Sequence, residues 1–128
     1  MKCDDYAILL IRLAESDIAA FHVLSVSADV RVETAMFHAQ QAVEKMLKSV
    51  LISMGEEYRK THDLIDLAGR IESHGTVLPI EKERLSQLIP YAVALRYDDD
   101  QTGDLTFDEA DMIISVIREW LVTRSRPD

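Results

Sequence analysis

Between residues 33 and 54, polar side chains recur at helical spacing. At roughly 100° per residue, His38, Gln41, Lys45 and Lys48 fall within an arc of roughly 80°. Arg59, Lys60 and His62 follow soon after, making this the densest basic region of the chain. Ammonium, guanidinium and imidazole groups on one ridge can hold a phosphate through charge-assisted hydrogen bonds. The plainer reading of the ridge is a solvated helix face whose Lys stems cover apolar neighbours. His62 also has a local reading: in "THD" it stands in capping chemistry and can hydrogen-bond within that turn.

A second constellation lies at 96–109, "RYDDDQTGDLTFDE". Aligned to a twelve-residue calcium loop, Asp98, Asp100, Thr102 and Glu109 take ligand positions 1, 3, 5 and 12. Gly103 falls at position 6, where the loop turns sharply. Thr102 is a weaker ligand than a carboxylate, and no second loop accompanies this one. Thr106 and Glu109 are also spaced as a capping box, which accounts for Glu109 without a metal. Asp98 to Asp100 then read as an acidic connector ahead of a helix.

The elements that position these groups are helical. At 128 residues and 48% hydrophobic content the chain suits one domain with a real core. Four Gly and three Pro are too few for a strand-rich fold with many turns. The formal charge of -9 argues against indiscriminate nucleic-acid binding, which needs clustered Lys and Arg. The lone Cys3 excludes an internal disulfide framework and a Cys-based zinc cluster. "YAILLI" is too short to span a membrane, and Asp4 and Asp5 flank it wrongly for a signal peptide. A cytoplasmic protein with no membrane association follows as the expectation. No cofactor is implied.

Periodicity and punctuation predict five helical segments. The first covers 4–27, with Leu9, Leu10, Leu13, Phe21 and Leu24 on its core face. Ile8, Ile11 and Ile18 form a second apolar strip, read either as a wide core face or as a face for a second subunit. The second covers 33–54 and ends at Gly55 as C-cap. Met36, Val43, Leu47 and Val50 lie on its apolar side, and so does Gln40, whose amide must find partners if buried. The third follows Thr61 or Asp63 as cap, with Leu64, Leu67, Ala68 and Ile71 as its stripe. The fourth, 80–95, contains Pro90, which demands a kink or a restart. The fifth opens at the Thr106–Glu109 box and carries Ala110, Ile113, Ile114 and Ile117 inward. Trp120 reads as core or interface. Short connections between amphipathic helices predict an all-α, up-and-down antiparallel bundle of four to five helices.

Three blocks in this order, "FHAQQAVEKMLKSVLISMG", "THDLIDLA" and "IPYAVALRYDD", resemble the HEPN domain family (higher eukaryotes and prokaryotes nucleotide-binding). The first and last helices fit too, so the resemblance covers nearly the whole chain. It implies a bundle of antiparallel helices, often a homodimer. Small prokaryotic members often accompany a minimal nucleotidyltransferase, frequently as a toxin–antitoxin pair. Arg96 and Tyr97 match the family's "RY" pair, with Asp98 where a proline usually follows. The resemblance makes Arg96 a candidate contact for a nucleotide or RNA phosphate at a dimer groove. It makes Tyr97 a candidate target for modification by the partner. On its residues alone, Arg96 is equally a helix C-cap pairing with nearby acids.

Many HEPN proteins are RNases that carry an Arg followed after four to six residues by His. A cation there steadies the phosphate while an imidazole moves a proton. Here "YDDDQTG" follows Arg96, and the last histidine of the chain is His74. Arg31 and His38, in "RVETAMFH", do meet the spacing, but at the start of the second helix rather than at the late position of the family motif. The expectation is therefore a nucleotide- or RNA-associated interaction module. The alternative is a ribonuclease using Arg31 or Arg96 with His38.

Overall fold

A computed structural model describes residues 3–57, 60–93 and 104–125. These form α1 (Cys3–Ser25), α2 (Val32–Ser53), α3 (Leu64–Ser73), α4 (Lys82–Ser86) and α5 (Phe107–Ser125), with a 3-10 turn at Ile89–Ala92 ahead of α5. No strand occurs among the described residues, and the fold is an all-α bundle.

The sequence explains where each helix stops. α2 runs without Gly or Pro to Met54, and Gly55 then takes φ 91. Its N–H donates to the Ile52 carbonyl and that of Glu56 to the Leu51 carbonyl, the paired bonds of a Schellman end. A side chain at that φ is strained, so Gly55→Ala is expected to lower stability by about 1–2 kcal/mol, read as a fall in the urea midpoint. α3 begins where Asp63 accepts from the N–H groups of Ile65 and Asp66. At the fourth segment Pro90 forces a restart: α4 ends at Ser86, and Pro90 sits in the first turn of the 3-10 segment, where its missing N–H costs nothing. α5 opens on the capping box. Thr106 N–H donates to Glu109 Oε1 at 3.0 Å, and Glu109 N–H donates to Thr106 Oγ1 at 3.1 Å.

The core is centred on α2. Met36, Met46, Leu47 and Val43 are buried there against Leu64, Leu67 and Ile71 of α3 and Ile113, Ile114 and Ile117 of α5. α1 packs on α2 through Ala7, Leu10, Ala14, Ile18 and Phe21. This differs from the expected core face: Leu9 and Leu13 are exposed, and Ile18 is core rather than part of a second strip. The physical reason is close approach, since two alanines on the packed arc let the helix backbones come together where two leucines would hold them apart. Of the second strip, Ile8 is 49% exposed and Ile11 half-buried. Trp120 is half-buried at the edge of the core.

Contacts along the long helices fix their directions. Asp17 meets His38 and Lys45 while Ala7 and Leu10, earlier in α1, cluster with Ile52 near the end of α2, so α1 is antiparallel to α2. His22 meets Asp111 and Glu15 meets Arg118, so α1 is antiparallel to α5 as well. The short α3 behaves differently. His62, just before it, bonds to Glu44, whereas Arg70 and His74 at its end bond to Glu56. α3 therefore runs in the same sense as α2, with its start beside Glu44 and its end beside Glu56. His62 thus lies beside the middle of α2.

Glu56 is the pin at the far end. It accepts from Arg70 Nε at 2.9 Å and from His74 Nε2 at 2.6 Å. The His74 hydrogen bond first, and Arg70 after it, hold its carboxyl below the ordinary 4.5, while burial pushes the other way. A carboxylate depressed in the fold contributes stability that is complete above its unfolded value and is lost as pH falls through its folded value. Glu109, lowered by its bonds to Thr106, acts in the same direction. The melting temperature is thus expected to fall as pH drops below about 4.5. Glu56→Gln should lose less across that window than the wild type, which differential scanning fluorimetry from pH 6 to pH 3 would read.

A candidate phosphate-facing site on the second helix

The expected ridge divides into two clusters, each built around an acid that its residue pattern had not marked. In the first, Asp17 of α1 accepts from His38 Nδ1 at 2.9 Å and pairs with the Lys45 ammonium. Asp17 is only 13% exposed, and the contact spans two helices.

The second cluster is deeper. Glu44 lies on the same side of α2 as Gln40, and its side chain is 5% exposed. Its Oε1 accepts from Gln40 Nε2 at 3.0 Å and from His62 Nδ1 at 2.8 Å, and its Oε2 from Lys48 Nζ at 3.0 Å. Gln40 Nε2 also lies 3.4 Å from the His62 carbonyl, and Gln40 Oε1 accepts from Gln41 Nε2 at 2.8 Å. The buried Gln40 is satisfied on both ends and ties α2 to the segment before α3, as its position demanded.

These contacts change what each polar residue can do. Lys48, expected on the ridge, is buried against Glu44, because an ammonium on the inward side of a helix must carry its counter-charge with it. Lys45 is committed to Asp17, and Gln41 to Gln40. With neutral imidazoles each cluster sums to zero charge, so the lysines offer a phosphate little attraction. The histidines differ. A carboxylate can only accept, so Nδ1 carries the proton in both rings and Nε2 is the acceptor of the neutral form. Protonation turns Nε2 into a cationic donor. His62 is 66% exposed and presents that atom to solvent, while His38, at 28%, is more enclosed.

The remaining candidates separate from this group. Arg31 caps α2 and pairs with Glu33 at 3.5 Å. Seven residues on, His38 stands about 10 Å further along the helix axis. Glu109 has its carboxylate engaged in the cap of α5. Arg59, Arg96, Tyr97, Asp98, Asp100, Thr102 and Gly103 lie outside the described residues. Among the described residues no group of three His, Cys, Asp or Glu side chains is placed to hold a metal ion. No described helix is long and apolar enough to cross a membrane.

Residues 7–123 match the family model of the HEPN domain. The chain belongs to the HEPN family. No curated protein and no solved structure matches it. The match runs from the first turn of α1 almost to the end of α5, so both carboxylate clusters lie within the HEPN domain. The "HAQQA-EK-LK" pattern of this HEPN chain thus has a structural meaning here. Gln40, Glu44 and Lys48 occupy successive turns on one side of α2, and the histidine of "THDL" closes the set.

Proposed function

We propose that this HEPN protein is a nucleotide- or RNA-associated interaction module, acting as a cytoplasmic homodimer beside a minimal nucleotidyltransferase, and not a nuclease. The observation that carries the reading is His62: its Nδ1 is fixed on a buried carboxylate and its ring is 66% exposed, so the protonated ring is a preorganised donor for a phosphate oxygen. His38, held on Asp17, is a second imidazole, on the α1 side of the same helix. Arg96 and Tyr97 join this reading on the strength of the family's "RY" pair. Nuclease chemistry is disfavoured because a cation must sit beside the imidazole at the phosphate. Arg31 is two turns from His38 and on Glu33, and Lys45 is on Asp17.

The direct test is calorimetric titration of ATP and of a short single-stranded RNA. Saturable binding is expected, weakened roughly tenfold in His62→Ala through loss of one charge-assisted hydrogen bond, with the variant still folded. Absence of saturable binding to both ligands removes the nucleotide and RNA claim. RNA incubated with the protein should stay intact, and cleavage that disappears in His38→Ala would establish the ribonuclease instead. Sedimentation should give twice the 14.5 kDa chain mass. A minimal nucleotidyltransferase reading frame should lie beside this one, with the two products co-eluting.

A further inference from the structure

A cleft of about 360 Å³ opens between the first turns of α1 and the last turns of α2 and α5, away from both carboxylate clusters. Ala7, Ile8 and Ile11 wall it from α1, Val50 from α2 and Leu121 from α5. Ser49 and Ser53 also reach it, but their hydroxyls donate to the Met46 and Val50 carbonyls, each at 2.6 Å. With those protons used, the two serines offer only lone pairs. The donor in the lining is the Arg124 guanidinium.

Arg124 is set apart from most of the basic residues. Arg31, Lys45, Lys48, Arg70, Lys82 and Arg118 each sit on a carboxylate. Among the described residues Arg124 makes no such pair; its guanidinium lies over the Trp120 ring, 5.1 Å from the centroid. Stacking orients a guanidinium while leaving its in-plane N–H fork available to an anion. Ile8, half exposed on the wall, gains from being covered.

An apolar trough with one cation at its edge has the chemistry of an amphiphile site. We propose that this cleft binds a small anion with an aliphatic tail, of the medium-chain carboxylate class. The tail lies along Ile8, Ile11, Val50 and Leu121, and the carboxylate meets Arg124. The volume is near the lower end for small-molecule sites, which suits a tail of several carbons and not a long acyl chain. The net charge of -9 repels anions in general, so the sign preference rests on Arg124.

Trp120 is the single tryptophan of the chain and stacks on the proposed anchor, so its fluorescence reports occupancy. The experiment titrates butyrate, hexanoate and octanoate into the whole protein, with octyltrimethylammonium as the charge-reversed probe. Saturable changes are expected, with affinity rising about fourfold per methylene and the cationic probe at least tenfold weaker than octanoate. By calorimetry, Arg124→Gln should abolish the preference for the anion. Ser53→Leu, which fills the cleft from an exposed position, should abolish octanoate binding while the protein stays folded. Ile8→Glu, which puts a like charge on the half-exposed wall, does the same should the first variant not fold. No saturable response to octanoate, equal affinity for the two head groups, or unchanged binding in a folded cleft variant overturns the proposal.

Discussion

Glu44→Leu is expected to destabilise the protein by about 3–5 kcal/mol, the cost of breaking a buried ion pair from one side. Glu44 and Lys48 are 5% and 6% exposed, so neither charge can turn to water when the other is removed. Leucine replaces most of the glutamate volume, and the loss therefore reports charge and hydrogen bonding more than a cavity. It removes the acceptor of three groups at once, Gln40, His62 and Lys48. Against the 5–15 kcal/mol that holds an ordinary domain together, this is a large share. Adding Lys48→Met removes the buried ammonium that Glu44 neutralises and keeps most of its volume. The double variant should then cost less than Glu44→Leu alone, since apolar replacement of a whole buried pair is often neutral. Urea denaturation of the wild type, both single variants and the double variant measures this. A double loss equal to the sum of the singles would show that the pair is not coupled.

The same glutamate shows how far residue patterns can be read. α2 was legible because its apolar residues repeat at helical spacing without a breaker, and Gly55 marked its end in advance. Gln40 was legible too: an amide on an apolar arc has to find partners, and it found Glu44, the His62 carbonyl and Gln41. Glu44 itself is not singled out by residue pattern, although its place one turn from Gln40 and one turn from Lys48 is the available signal. Lys48 falls on a polar ridge by angle alone, and angle does not say how much protein covers that side. Asp17 had no local signal, since its partner His38 is 21 positions away. On α1 so many positions are apolar that periodicity could not choose between the face with Leu9 and Leu13 and the face with Ala7 and Ala14. Packing chose the small residues. The direction of α3 is fixed by His62 meeting Glu44 and by Arg70 and His74 meeting Glu56, pairings that no residue pattern specifies.

Phe21→Ala is expected to cost about 3–5 kcal/mol through lost burial and an unfilled cavity. Phe21 is 1% exposed, the largest side chain that α1 sends into the core, and its ring meets that of Phe107 edge-on at 5.9 Å and 72°. That pair joins the last turns of α1 to the first turn of α5 and is worth about 0.5–1.5 kcal/mol beyond area. A surface hydrogen bond, His22–Asp111, and a surface ion pair, Glu15–Arg118, run alongside it on the same α1–α5 seam. They are about half exposed and worth at most about 1 kcal/mol each, so they cannot hold the seam once the ring is gone. Loosening should therefore concentrate where α1 meets α5. Amide exchange is expected to quicken in the first turns of α5 well before it does in the middle of α2, where Met46 and Leu47 stay packed on α3 and α5. Phe21→Leu refills much of the volume and should recover more than half of the stability. If Glu15→Ala matched Phe21→Ala in the urea midpoint, charge and not the buried ring would be what holds α5 to the bundle.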